Sequence, residues 1–136
     1  FEMLRPIAAY GFTAIVFLGL DFLWLTTIAL SLYRRELGGL LLEKPSLAIS
    51  AGFYLVYAAG IVFFCVLPAL NGGSWLTALG TGAVLGLVAY GTYDITNLST
   101  LNNWSVTVTM ADIAWGTALT AISATIGYWV VSALNL

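Results

Sequence analysis

The sequence predicts an all-α integral membrane protein, with four transmembrane helices in an up-down antiparallel bundle. Three observations carry that expectation. The chain is 61% hydrophobic and 7% charged, against about 45–50% and about 25% in an average soluble domain. A water-soluble fold of 136 residues leaves too much surface exposed to hide that much apolar material. Four apolar stretches each approach the roughly 20 residues that cross a hydrocarbon core. The length suits one domain, residues 1–136.

The first helix is expected over about 6–33. Pro6 suits a first turn, where its missing N–H removes no bond. Asp21 is the single charge within the run, and Thr13, Phe17, Asp21, Trp24 and Ile28 fall on one face by steps of three and four. Phe1-Glu2 precede Met3, and we expect Met3 to be the native start and the two residues before it a cloning remnant. The run is too long for a signal-peptide core and is followed by no small-residue cleavage site, so it stays as a helix.

Residues 34–45 are expected to form a partly amphipathic loop whose leucines rest among lipid headgroups. They include Arg34, Arg35 and Lys44, three of the four basic residues; the fourth is Arg5. The positive-inside bias makes this loop cytoplasmic and leaves both termini outside. Four scattered basic residues also exclude a nucleic-acid footprint, which needs clustered Lys and Arg.

The second helix is expected over about 46–67, with Ser46 as N-cap and Pro68 as its stop. Ser50, Tyr54 and Tyr57 share a face, and Gly52 and Gly60 permit close helix approach. Cys65, the single cysteine, lies beside Phe63, Phe64 and Val66; it has no intrachain disulfide partner and belongs in the core or in lipid. Asn71-Gly72-Gly73-Ser74 reads as a tight turn.

The third helix, about 76–100, carries Gly82, Gly86, Tyr90, Asp94 and Asn97 along one stripe. The fourth, about 107–133, carries Asp112, Gly116, Thr120, Ser123 and Gly127 along another. Small residues on such stripes let backbones approach in lipid. Trp75, Trp104, Tyr128 and Trp129 sit where interfacial aromatics belong.

Three aspartates in apolar runs are the candidate chemistry. An Asp at a helix centre costs about 2.5–3.5 kcal/mol to insert, whereas interhelical hydrogen bonds average only about 0.6 kcal/mol. Pairing for stability alone does not account for three of them unless they specify register. At about 1.5 Å per residue, Asp94 lies about 9 Å from the inner end of its helix and Asp112 about 8 Å from the start of the next. The two share a level. Asp21, about 18 Å in, and Tyr57, about 17 Å in, lie deeper. We therefore expect a polar cleft with Asp94, Asn97 and Asp112 near a cytoplasmic mouth and Asp21, Trp24, Tyr54 and Tyr57 inside, with Tyr90 and Trp115 as further candidates. A carboxylic acid withdrawn from water favours its neutral form, and two neighbours share a proton. Oxygen ligands at Asp94, Asp112 and Asn97 suit a hard cation, but we assign no metal. The chain contains no His, which excludes imidazole bases and His-ligated metals or haem. No established catalytic motif is present, and no cofactor follows from the residues.

The pieces Phe17-Leu-Gly-Leu-Asp21-Phe-Leu-Trp24, Tyr90-Gly-Thr-Tyr93-Asp94-Ile-Thr-Asn97-Leu98 and Asp112-Ile-Ala-Trp115-Gly116-Thr117 together resemble a bacterial family of four-helix inner-membrane proteins catalogued as domain of unknown function 2177. The resemblance implies a multi-pass protein of the bacterial inner membrane and supplies no reaction or substrate.

Three functions fit these residues. The first is a small carrier or binding protein for a small or lipophilic molecule, with protonatable aspartates in a cytoplasm-facing cleft. Four helices leave little room for a central path, so transport would need a homodimer. The second is a membrane enzyme acting on a lipid or isoprenoid, with Asp94 and Asp112 as acid and base. The third is a structural subunit of a membrane complex that uses the glycine faces. We take the carrier or binder as the leading expectation.

Overall fold

The computed structural model describes residues 3–136, so the expectation for Phe1-Glu2 lies outside the described residues. The described residues form four helices long and apolar enough to cross a membrane: helix 1, Leu4–Leu40; helix 2, Leu47–Leu70; helix 3, Trp75–Thr100; and helix 4, Val106–Ala133. They run up and down in an antiparallel bundle, and helix 4 packs along both helix 1 and helix 3. Helix 2 touches helix 1 along its first half, while its close backbone approach to helix 3 comes from Val62 onward and Tyr57 reaches Tyr90 only through its ring. That uneven seating is what opens the site.

The closest packing joins helices 3 and 4, and its cause is the glycine stripe. A methyl group at Gly82 would fall 2.8 Å from the Ala121 Cα, and one at Gly86 would fall 2.9 Å from the Thr117 Cα. Backbone meets backbone there, as small residues permit in lipid. Gly127 receives the Thr13 hydroxyl from helix 1 in the same way. Gly52 and Gly60, expected to serve helix approach, have no neighbour within 4 Å of where a Cβ would stand. The face of helix 2 that packs inward is instead Ala58, Ile61, Val62, Cys65, Val66 and Ala69, all buried.

Two wide turns interrupt the helices. In helix 1 the Leu30 N–H reaches the Leu25 carbonyl, five residues back, across a π-helical segment Leu25–Ala29. The hydroxyls of Thr26 and Thr27 donate to the Phe22 and Leu23 carbonyls at 3.0 and 2.7 Å. Threonines on the regular helices bond back to the fourth preceding carbonyl in the same way, as at Thr92 and Thr125. Helix 2 repeats the wide turn at Val62–Val66, where the Leu67 N–H reaches Val62. This corrects the expectation that Pro68 stops helix 2. A proline inside a regular helix clashes with the carbonyl four residues back. Here it opens a new α-helical segment after a widened turn, and the helix runs on to Leu70.

Helix 1 also runs further than expected, through Arg34 and Arg35 to a short 3-10 turn ending at Leu40, so the loop is shorter than residues 34–45. Gly38 makes the transition at φ +50°, a conformation that suits glycine.

Caps and clasps fasten the ends. The Ser46 Oγ accepts from the Ile49 N–H at 3.4 Å, and Ser74 forms a capping box with Thr77. At the end near Gly38, the Ser105 Oγ accepts from the Val108 N–H at 3.1 Å and donates to the Glu36 carboxylate at 2.9 Å. At the opposite end, the Arg5 guanidinium donates to the Asn71 Oδ1 and the Leu70 carbonyl at 2.9 and 3.1 Å. Ser105→Ala removes both a cap and an interhelical clasp. It is expected to lower stability by about 1–2 kcal/mol, read as an earlier thermal transition in detergent micelles; an unchanged transition would show that the clasp is idle.

Candidate functional site

The site begins with the phase of helix 1. Residues on a regular helix advance by about 100° each, so the twelve steps from Asp21 to Tyr33 would leave their side chains about 120° apart. The π-helical turn between them absorbs one residue, and eleven effective steps bring them within about 20°. Both therefore face helix 4, and Ala29 is buried between them. The same turn rotates Ile28 outward to 53% exposure, which corrects its expected place on the inner stripe. Thr13, Phe17 and Asp21, which precede the turn, are buried as that stripe requires.

Helix 1 then meets helix 4 at two acidic centres. The Trp115 indole N–H donates to the Asp21 Oδ1 at 3.1 Å. The Trp24 ring stacks on Trp115 with centroids 4.8 Å apart and planes 11° from parallel. One turn nearer the Gly38 end, the Tyr33 hydroxyl donates to the Asp112 Oδ1 at 2.7 Å. Asp94 of helix 3 neighbours Asp112 on the wall of the same cavity. Asp94 stands six residues before the end of helix 3, and Asp112 six residues after the start of helix 4. Equal depth brings the two carboxyl groups together.

Asp94 is fully buried, and neither of its carboxylate oxygens receives a donor. An orphaned buried carboxylate is expensive. Two neighbouring carboxylates repel when both are ionised, and a single proton held between them relieves that repulsion.

A cavity of about 560 Å³ opens beside this pair, where the first half of helix 2 stands away from helix 3. Tyr54, Tyr57, Tyr90, Tyr93 and Trp104 supply its aromatic wall, and Asp94 and Asp112 its two charged groups. No lining residue is basic. Several aromatic rings interlock: Phe17 sits edge-on to Tyr54 and Tyr57 at 5.6 and 5.4 Å, and Tyr57 to Tyr90 at 6.1 Å. The Tyr57 hydroxyl is hydrogen-bonded to the Thr120 hydroxyl at 2.8 Å. Tyr90 lies flat against Gly116, where any Cβ would strike its ring. Among the described residues no group of three His, Cys, Asp or Glu side chains is arranged to hold a metal ion.

Of the nine candidates named from the sequence, Tyr54, Tyr57, Tyr90, Asp94 and Asp112 line one cavity. Asp21, Trp24 and Trp115 form a second cluster, and Asn97 is in neither. Tyr33, Tyr93 and Trp104 join the cavity without having been expected there.

Residues 6–129 match the family described as predicted membrane protein, DUF2177. The chain belongs to that family. No curated protein and no solved structure matches it. The DUF2177 match takes in both acidic centres and every residue of the aromatic wall. The family description carries a membrane location and no activity, so chemistry has to be argued from the cleft. Its parts are a carboxyl pair able to hold one proton, a tyrosine hydroxyl donating to that pair, and an apolar aromatic chamber beside it.

Proposed function

We propose that this DUF2177 protein binds, and as a carrier moves, a small lipophilic molecule. The molecule enters the cleft between helices 2 and 3 at a bacterial inner membrane. The basic residues Arg34, Arg35 and Lys44 favour a cytoplasmic placement of the loop after helix 1, with both termini outside. The observation that carries the reading is the Asp94–Asp112 pair: Asp94 is wholly buried without a donor, and part-exposed Asp112 presents the pair to a chamber large enough for a ligand. Ligand pockets are typically apolar chambers of about 300–1,000 Å³ with a few convergent polar groups, and this one has that composition.

Release of the protein from membranes in mild detergent, followed by native mass spectrometry, tests the reading. A retained small molecule is expected on the wild type and its loss on the double variant Asp94→Asn/Asp112→Asn, which preserves shape and removes charge. A protein that is ligand-free in every preparation, or a molecule retained equally by the double variant, would count against it. The same experiment reports whether the functional unit is a homodimer.

A second reading is favoured by the cavity drawing its lining from one end of the bundle. A one-sided chamber suits an enzyme acting on a lipid or isoprenoid, with Asp94 and Asp112 exchanging a proton with the substrate. Turnover of an endogenous lipid, lost in either single Asn variant, would favour it. The structural-subunit reading relied on the glycine faces of helices 3 and 4, and Gly82, Gly86 and Gly116 are occupied within the bundle.

A further inference from the structure

We infer that the cleft takes a lipophilic monocation bearing N–H donors, an alkyl- or arylammonium, with its head on the Asp94–Asp112 pair and its hydrocarbon along the aromatic wall. This deepens the binding reading above and rests on it. Four observations converge on the ligand class.

The first is the sign of the lining. Two carboxyl groups and no basic residue line the chamber. A phosphate or carboxylate head would meet like charge in a low-dielectric site, which repels it strongly.

The second is hydrogen-bond demand. Both Asp94 oxygens are buried without a donor, and an ionised carboxylate only accepts. The proton shared with Asp112 engages one of these oxygens and the other has no donor, so an occupant that brings N–H groups fills a demand the bundle leaves open. An ammonium brings them with charge, and such bonds are about twice as strong as neutral ones. An ester, ketone or quinone brings none.

The third is charge balance. A carboxyl pair holding one proton carries a single negative charge, so one monocation makes the complex neutral. No proton has to leave, and no net charge is left within the membrane. A dication would require the shared proton to depart.

The fourth is the wall. Tyr57 and Tyr90 stand edge to face at 6.1 Å, and Tyr93 and Trp104 at 5.9 Å. Ring faces attract cations within about 6 Å, and the rest of these rings offers apolar surface to a chain.

The test uses the full-length protein in non-ionic micelles and four probes of one chain length: decylammonium, trimethyldecylammonium, decanol and decanoate. Binding is measured by titration calorimetry, with protein-free micelles as the blank for partition into the micelle and Asp94→Asn/Asp112→Asn as a test variant. Decylammonium is expected to bind the wild type at least tenfold more tightly than decanol or decanoate. Trimethyldecylammonium, a cation without donors, should fall between them. The double variant should lose the preference, while either single Asn variant should keep part of it because one carboxylate remains. Ser50→Trp, which fills the cleft from the exposed face of helix 2 and leaves both aspartates in the sequence, should block every probe. Equal binding of decanol or decanoate, blocked by Ser50→Trp, overturns the cation assignment and leaves the binding reading standing. Failure of all four probes to bind overturns both. A preference that survives in a double variant with wild-type helicity and elution also overturns the assignment.

Discussion

Gly86→Leu is expected to yield a chain that enters the membrane and fails to hold its bundle. The added Cβ would fall 2.5 Å from the Gly116 carbonyl oxygen, 2.9 Å from the Thr117 Cα and 3.0 Å from the Thr120 Cβ. Two of those three atoms belong to backbone, which cannot rotate away. Helices 3 and 4 must separate, and the rest of the leucine enlarges the gap. Overpacking a well-filled site by even a few carbons costs about 1–3 kcal/mol; here a loss of at least about 3 kcal/mol is expected, because the longest interface of the bundle opens. The readouts are thermal unfolding and elution volume in detergent. Gly80→Leu is the control, since nothing lies within 4 Å of its Cβ position. If both variants melt alike, the helix 3–helix 4 contact is not as close as described. Gly116→Ala is a milder probe of the same seam. Its methyl displaces the Tyr90 ring, so it should alter the cavity wall before it unfolds the protein.

Deleting one residue from helix 1 should be tolerated at Thr26 and ruinous at Gly19. Removal of Thr26 relaxes the π-helical turn to a regular one and keeps Asp21, Ala29 and Tyr33 on one face. Removal of Gly19 rotates the helix before it by about 100° relative to everything after it. Thr13 and Phe17, both fully buried, would then turn toward lipid. Burying a residue such as Phe17 contributes about 1.5–3 kcal/mol, and its contacts with Tyr54 and Tyr57 would go with it. The expected result is a monodisperse, folded protein lacking Thr26 and an aggregated or degraded one lacking Gly19. Equal damage from the two deletions would mean that the wide turn does not set the phase of the helix.

These two predictions also mark what was legible in the residues and what was not. Hydropathy reveals the four spans because each must satisfy its own backbone in lipid. The stripes Gly82–Gly86 and Gly116–Gly127 were readable because small residues recur at helical spacing. The meeting of Asp94 with Asp112 followed from counting residues inward from the helix ends, where antiparallel neighbours must agree. A constant 3.6-residue period, however, assumes a helix that never changes phase. The turn at Leu25–Ala29 breaks that assumption, so Ile28 was placed inside and Tyr33 was overlooked. Pro68 misled for a related reason: a widened turn before a proline removes the clash that ordinarily ends a helix. Trp104 was assigned to the interface on composition alone, and only the folded loop brings it against Tyr93.

The gap between helices 2 and 3 has a consequence for how affinity should be expressed. Ile49, Phe53 and Tyr93 line the cavity and are 75%, 66% and 56% exposed, on flanks that face lipid when the bundle spans a bilayer. A ligand reaching the pocket through that flank comes from the hydrocarbon phase by two-dimensional diffusion. Its local concentration there is the aqueous concentration multiplied by its partition coefficient. A dissociation constant referred to water therefore combines two equilibria, and lengthening the ligand's alkyl chain would tighten it without a new contact in the cleft. At about 0.8 kcal/mol per methylene, two added carbons shift that constant more than tenfold through the bilayer alone. The selectivity that belongs to the protein is the ratio between head groups carried on identical tails.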